Sequence, residues 1–185
     1  VAVATLRTDR LTLRQWRDSD RGPFAAINAD PRVMEFFLAP LTRSQSDVVV
    51  DRFSAELERG GHAPWALERN ADQAFIGFAG FWVPRFEAHF TPCVEIGWRL
   101  AVAAWGRGYA TEAAFAALGH AFGTLGLDEL VSFTPVANER SIRVMERIGM
   151  THDPADDFEH PSFPVGHPLR RHVLYRLVNT QSTTT

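Results

Sequence analysis

The stretch "AVAAWGRGYATEAAFAAL", residues 101–118, sets two glycines, Gly106 and Gly108, directly before small residues at helical spacing. Glycines at the mouth of a helix let the backbone turn tightly or come close to a ligand. The first N–H groups of such a helix lack intrahelical partners, and its N-terminus carries about half a positive charge. An anion there is satisfied without a base or a metal. Gly106 and Gly108 have no Cβ to hold a pyrophosphate off the main chain, Arg107 offers a charge, and Thr111 offers a hydroxyl donor. Taken alone, the pattern fits a strand-to-helix turn with nothing bound equally well. Two other phosphate motifs fall away. A P-loop needs lysine, and all 19 basic residues are arginine. A dinucleotide fingerprint needs glycine where Thr111 stands.

Outward from this loop, the chain alternates strand and helix signals. Upstream, "CVEIGWRLAV" (93–102) reads as a strand, after strands at 62–69 and 73–83. "RLTLRQW" (10–16) alternates Leu11 and Leu13 with polar neighbours, a half-buried strand. Between them lie a short helix in 18–31 and a longer one in which Thr42 and Gln45 have capping-box spacing. In that second helix Val49, Phe53, Glu56 and Leu57 follow a helical period, and Gly60-Gly61 is the stop. Downstream, 108–122 is a helix whose Ala110, Ala114, Ala117 and Ala121 suit close contact with a sheet. A strand at 129–136, a helix at 138–149 capped by Asn138, and a strand at 170–178 follow. The Pro- and acid-rich segment 153–168 reads mostly as loop, and 179–185 as a frayed tail. The order predicts one domain over residues 1–185, of mixed α/β class, around a mostly antiparallel sheet. The unit from 93 to 136 supplies one parallel pair.

Bulk properties bound the function. The net charge of −3 gives no electrostatic case for nucleic acid or an anionic membrane. A single cysteine, Cys93, excludes an internal disulfide framework and fits a reducing compartment. No apolar run approaches membrane-spanning length, and no signal peptide pattern opens the chain. A soluble, cytoplasmic protein, monomer or homodimer, is expected. His152, His160, His167 and His172 lack metal-ligand spacing, so no metal is expected.

Four stretches in order, "TDRLTLRQWRDSD", "FIGFAGF", "EIGWRLAVAAWGRGYATEA" and "NERSIRVMERIGM", resemble the GCN5-related N-acetyltransferases. Within them, the chain is most similar to the ribosomal-protein N-terminal acetyltransferase-like branch. The resemblance implies a sheet of about six to seven strands whose fourth and fifth strands splay apart. It implies acetyl-CoA as co-substrate and an amine as acceptor. The family's pyrophosphate loop falls on Trp105, Gly106, Arg107, Gly108, Tyr109 and Ala110, with N–H donors from about Arg107 to Thr111. Trp105 replaces the family's Arg or Gln. Along the fourth strand, Trp98, Leu100 and Val102 would offer backbone groups to the pantetheine arm. Asn138 resembles the family's asparagine that reaches this arm, and it also reads as a plain helix cap.

Acetyl transfer to an amine needs a base, and the oxygen that gains charge needs N–H donors, here near Trp98 or Leu100. The thiolate leaving group has a pKa near ~8.5, so an acid helps without being indispensable. The tyrosine that many members use as that acid is replaced by Met145, whose spacing with Ile142 and Ile148 reads as core. Ser141 is the acid the resemblance implies, and a local helix-start bond is its other reading. Glu95 is the candidate base, with a structural ion pair to Arg99 as the alternative. The acids of 153–168 would favour a cationic amine, or form a solvated loop. A rival reading is a CoA-binding sensor or interaction module without catalysis.

Overall fold

The computed structural model describes residues 3–180. Its strands are β1 (Leu6–Arg7), β2 (Leu11–Arg14), β3 (Trp65–Arg69), β4 (Ala74–Trp82), β5 (Glu95–Leu100), β6 (Glu129–Pro135), β7 (Thr151–His152), β8 (Phe158–Glu159) and β9 (Arg171–Val178). Its helices are α1 (Arg21–Ala29), α2 (Arg43–Glu58), α3 (Tyr109–Gly123) and α4 (Glu139–Arg147). The strands form one sheet in the order β1-β2-β3-β4-β5-β6-β9-β7, with β8 also on β9. The sheet has nine strands where six to seven were expected. The surplus is β1, β7 and β8, each two residues long and too short to show a period of two in sequence.

Every pairing is antiparallel except β5 with β6. That parallel pair is the strand–helix–strand unit of the sequence. Its register consists of one pair, Glu95 with Val131, next to the Val131 N–H bond to the Val94 carbonyl at 2.9 Å. Beyond it the two strands part. These are the fourth and fifth strands of the sequence reading, and they splay as expected.

The core lies on both faces of the sheet. Phe78 on β4 meets Trp16, Phe24 and Phe53, so α1 and α2 cover one face. Phe81, three residues on, meets Trp65 and the His120 ring of α3 on the other. Ala113, Ala114, Ala117 and Ala121 are all 0% exposed, so α3 lies close on the strands, while Ala110 is half-buried.

Local signals explain the ends of the elements. Thr42 and Gln45 form the expected capping box at α2. The buried stripe there is Val50, Phe53 and Leu57, and Val49 sits half-buried beside it. The first helix region begins with a 3-10 turn, Asp18–Asp20, because Asp20 bonds the Arg17 N–H and takes the Arg14 guanidinium at 2.8 and 2.9 Å. The strand expected to reach Val102 stops at Leu100, and Val102–Ala104 is a 3-10 turn. Segment 153–168 holds another such turn, Pro154–Asp156, and β8. Asn179 is buried and bonded to Leu127 and Asp128, so the chain is anchored there; residues 181–185 of the expected tail lie outside the described residues.

Candidate active site

A cleft of about 1170 Å³ opens where β5 and β6 part. Its floor is β5, its far wall is β6 and α4, and its near rim is the α1–α2 connection. Glu95, Trp98, Leu100, Gly106, Gly108, Tyr109, Ala110, Thr111, Asn138 and Ser141 all line it. Val102 and Arg107, the other two expected site residues, are not among the lining residues.

The lower part of the cleft is the glycine loop. Gly106 and Gly108 have φ of +70° and +79°, a left-handed conformation that disfavours any side chain. A Cβ on Gly106 would meet nothing within 4 Å, so this backbone faces open space. Gly108 is the N-cap of α3, and no described side chain caps that helix. The first intrahelical bond runs from the Glu112 N–H to the Gly108 carbonyl. The N–H groups of Tyr109, Ala110 and Thr111 therefore precede the ladder. Glu112 does not neutralise them, because its carboxylate turns away to the Thr8 hydroxyl and to Arg10. Arg10 also donates to the Arg107 carbonyl at 2.9 Å and stacks on Tyr109. Sequence reasoning missed this clamp, since Arg10 lies about a hundred positions away in sequence. The Arg107 guanidinium bonds back to the Ala103 carbonyl at 3.2 Å.

Above the loop, β5 shows alternate backbone groups to the gap. The Ala101 N–H to Ile76 carbonyl bond and the β4 register place the bonded groups on the odd-numbered residues. Trp98 and Leu100 thus turn their N–H groups away from β4, toward β6. The Leu100 carbonyl accepts from the Trp105 indole at 2.9 Å, which fixes the loop to the end of the strand. The Val102 carbonyl is used within its own turn by the Trp105 N–H. On the far wall, the Asn138 side chain accepts from the Ser141 N–H at 3.3 Å and donates to the Thr134 hydroxyl at 2.8 Å. Asn138 is thus a helix cap in this structure. Met145 is 1% exposed and belongs to the core.

Glu95 is 9% exposed and lies opposite Trp82 in the β4–β5 register. Burial pushes its carboxyl well above the usual range, and a hydrogen bond to the Trp82 side chain opposes this in part. The ion pair with Arg99 does not form. Arg99 instead donates to the Asn28 amide oxygen at 2.7 Å and lies over Phe37 and Phe78 at 4.2 and 5.5 Å. Four residues of strand separate Glu95 and Arg99 by about 13 Å at Cα, and each side chain finds a nearer partner.

His160 and His172 also line the cleft, 4.8 Å apart between ring centroids. Burial lowers both, His172 to about 4. Among the described residues no three His, Cys, Asp or Glu side chains group to hold a metal. The acids of 153–168 are engaged: Asp156 with Arg176, Asp157 with His152, Glu159 with Arg170, and Asp153 on the Ala155 N–H. Burial raises the Cys93 thiol to about 11.

Comparison with known proteins converges on one family. Residues 10–151 match the family model described as the acetyltransferase (GNAT) domain. The chain is 34% identical over 151 residues to a Bacillus subtilis protein named "Uncharacterized protein YkkB", covering 80% of this chain and 86% of that one. It is 30% identical over 161 residues to the FsC-acetyl coenzyme A-N(2)-transacetylase of Aspergillus fumigatus, covering 82% and 66%. Among solved structures, an acetyltransferase from Agrobacterium tumefaciens is 32% identical, with a TM-score of 0.75 over 96% of this chain and 95% of that one.

Proposed function

The chain belongs to the GNAT acetyltransferase family, and on that premise we propose that it transfers an acetyl group from acetyl-CoA directly to a primary amine, of a protein N-terminus or a small molecule. The observation that carries this reading is the parting of β5 from β6 after one register pair, directly above an uncapped helix start. Acetyl-CoA supplies an acyl group already activated as a thioester. The N–H groups of Tyr109, Ala110 and Thr111, with the αL backbone of Gly106 and Gly108, fit its pyrophosphate. The free backbone groups of Trp98 and the Leu100 N–H fit an extended amide-bearing arm as an added strand would.

In this reading the N–H of Trp98 or Leu100 steadies charge on the reacting oxygen. Glu95 takes the proton of the amine, directly or through water. Burial raises its pKa, and a carboxylate with a raised pKa is the stronger base once ionised. Ser141, half-buried on the cleft wall, is the proposed donor to the leaving thiolate. Val102, through its backbone beside the pantetheine arm, and Arg107, through its N–H beside the pyrophosphate, complete the proposed acetyl-CoA contacts. Trp105 in place of Arg or Gln supports the ribosomal-protein N-terminal acetyltransferase-like branch, which by itself names no acceptor. We place the protein in the cytoplasm as a monomer or homodimer without nucleic-acid or membrane partners; no described helix is long and apolar enough to cross a membrane.

A second reading is a CoA-binding module without turnover, favoured by Met145 where many relatives carry an acid. A CoA-release assay over a panel of amines decides between them. The enzyme reading expects turnover that Glu95→Gln lowers on the order of 100-fold or more, with acetyl-CoA affinity kept. Tight acetyl-CoA binding without turnover on any amine favours the module.

A further inference from the structure

Arg99 is a half-buried cation without a counter-ion among the described residues. Its Nε is buried and, among the described residues, has no hydrogen-bond partner. Burial lowers its pKa only to about 10, so it stays charged at neutral pH. A buried guanidinium normally pairs with an acid, because desolvating the charge is costly. No described carboxylate forms an ion pair with it, although 18 ion pairs occur elsewhere among the described residues.

The guanidinium is held in one orientation. One face stacks on Phe37, and Phe78 lies near it as well. One terminal nitrogen is pinned by Asn28, which is 0% exposed and itself donates to the equally buried Ser46 hydroxyl at 2.9 Å. Nε is closed to an atom the size of a water oxygen, so the second terminal nitrogen carries the donors that one carboxylate oxygen can reach in a charge-assisted hydrogen bond.

The surroundings share the sign. Arg52 and Arg85 line the same cleft on the side of α2 and the segment after β4. Burial and repulsion by Arg85 depress the Arg52 pKa, with Glu56 opposing weakly. Neither Arg52 nor Arg85 makes an ion pair among the described residues, and Glu56 is paired with Arg59. Phe78, Trp82, Glu95 and Arg99 lie on one face of β4 and β5, and Trp98 and Leu100 on the other. Between Glu95 and Arg99 the Trp82 ring lies on Gly97, where an added Cβ would stand 2.6 Å from it. This ring is an apolar wall between a base and a cation.

We propose that the acetyl acceptor is an amine that also bears a carboxylate, with the carboxylate on the second terminal nitrogen of Arg99 and the amine at Glu95. Arg52 and Arg85 draw the anion into the mouth of the cleft. An aliphatic chain lies along Trp82 between its two ends, within the roughly 13 Å that separate the Cα atoms of Glu95 and Arg99. This rests on the acyl-transfer reading above and specifies its acceptor.

The test uses matched acceptors: ω-amino acids of graded length against their primary amides, with O-phosphoethanolamine as a phosphate-bearing amine, in the CoA-release assay. The wild type should prefer the carboxylate of a matched pair on the order of 100-fold in kcat/KM. Arg99→Gln should collapse this ratio toward one, and Arg99→Lys, which keeps the charge without the fork, should restore part of it. Circular dichroism checks that both variants are folded, and the wild-type ratio stands without them. Turnover with a ratio near one, or preference for the phosphate, overturns the inference and leaves acyl transfer standing. If no amine is acetylated, the acyl-transfer reading fails, and binding decides the inference. A thermal shift with 4-aminobutyrate in saturating CoA, absent with 4-aminobutanamide and in Arg99→Gln, supports a carboxylate site. Equal or absent shifts refute it.

Discussion

Gly106→Ala separates backbone strain from ligand contact, because a matched control exists in the same chain. Gly106 and Gly126 have φ of +70° and +64°, and at neither would an added Cβ meet anything within 4 Å. Alanine in the left-handed region costs roughly 1–2 kcal/mol at either site. For a chain of this size each kcal/mol lowers Tm by about 2–4 °C, so the two variants should melt a few degrees below wild type and close to each other. They differ in place. Gly106 lines the cleft beside the open N–H groups of α3, whereas Gly126 lies between α3 and β6, outside the lining. A methyl on Gly106 would hold a pyrophosphate off the main chain and cost one charge-assisted hydrogen bond or more, about 1.5–3 kcal/mol. That is a Kd for acetyl-CoA raised roughly 10- to 100-fold, with Gly126→Ala unchanged. Calorimetric titration and thermal melts on the three proteins read both quantities. Equal acetyl-CoA affinity in Gly106→Ala and Gly126→Ala would refute the cradle and leave the glycines as turn residues.

The remaining predictions concern charge. The Glu95 carboxyl has its pKa raised by burial, so the rate should climb with pH as the base ionises, and Glu95→Gln should flatten that limb of the profile. Stability runs the other way: the folded pKa lies above the unfolded one, so wild type loses stability as pH rises through the folded value, and urea titrations should show that the Gln variant does not. His172 is depressed to about 4, so the unfolded chain takes up its proton first, near pH ~6.5. Stability should therefore fall by up to about 3 kcal/mol between roughly pH 6.5 and 4, and His172→Phe should remove much of that slope in denaturant melts. Arg14→Met should cost about 3–5 kcal/mol, because it strands Asp20, 2% exposed at its side chain, without its bidentate partner. A fall in Tm of only a degree or two would contradict that figure.

The six strands of four or more residues were legible because each carries apolar residues at strand spacing bounded by Gly, Pro, Asn or Asp. The capping box at Thr42 was legible for the same local reason: Gln45 is three residues away. What sequence concealed depends on packing between distant segments. The two-residue strands β7 and β8 exist only because β9 offers its edge. Val50 rather than Val49 is buried because the rotation of α2 is set by Phe78 and Trp16 across the core. In the site, the conformation of the glycine loop was readable, since glycines before a helix admit the φ of +70° and +79° seen at Gly106 and Gly108. The Arg10 clamp was not, because nothing near residue 107 signals a partner at residue 10. Glu95 and Arg99 looked like a pair because both point to one face. The structure gives Glu95 to Trp82 and Arg99 to Asn28, and this leaves the cation open to a ligand.

The central claim is that the gap between β5 and β6, with the helix start beneath it, receives acetyl-CoA. Isothermal titration of the purified protein with acetyl-CoA tests it without knowledge of the acceptor. The account predicts saturable binding at one site per chain, with a Kd tighter than about 1 mM. Absence of saturable heat at millimolar acetyl-CoA, on protein shown to be folded, would contradict it.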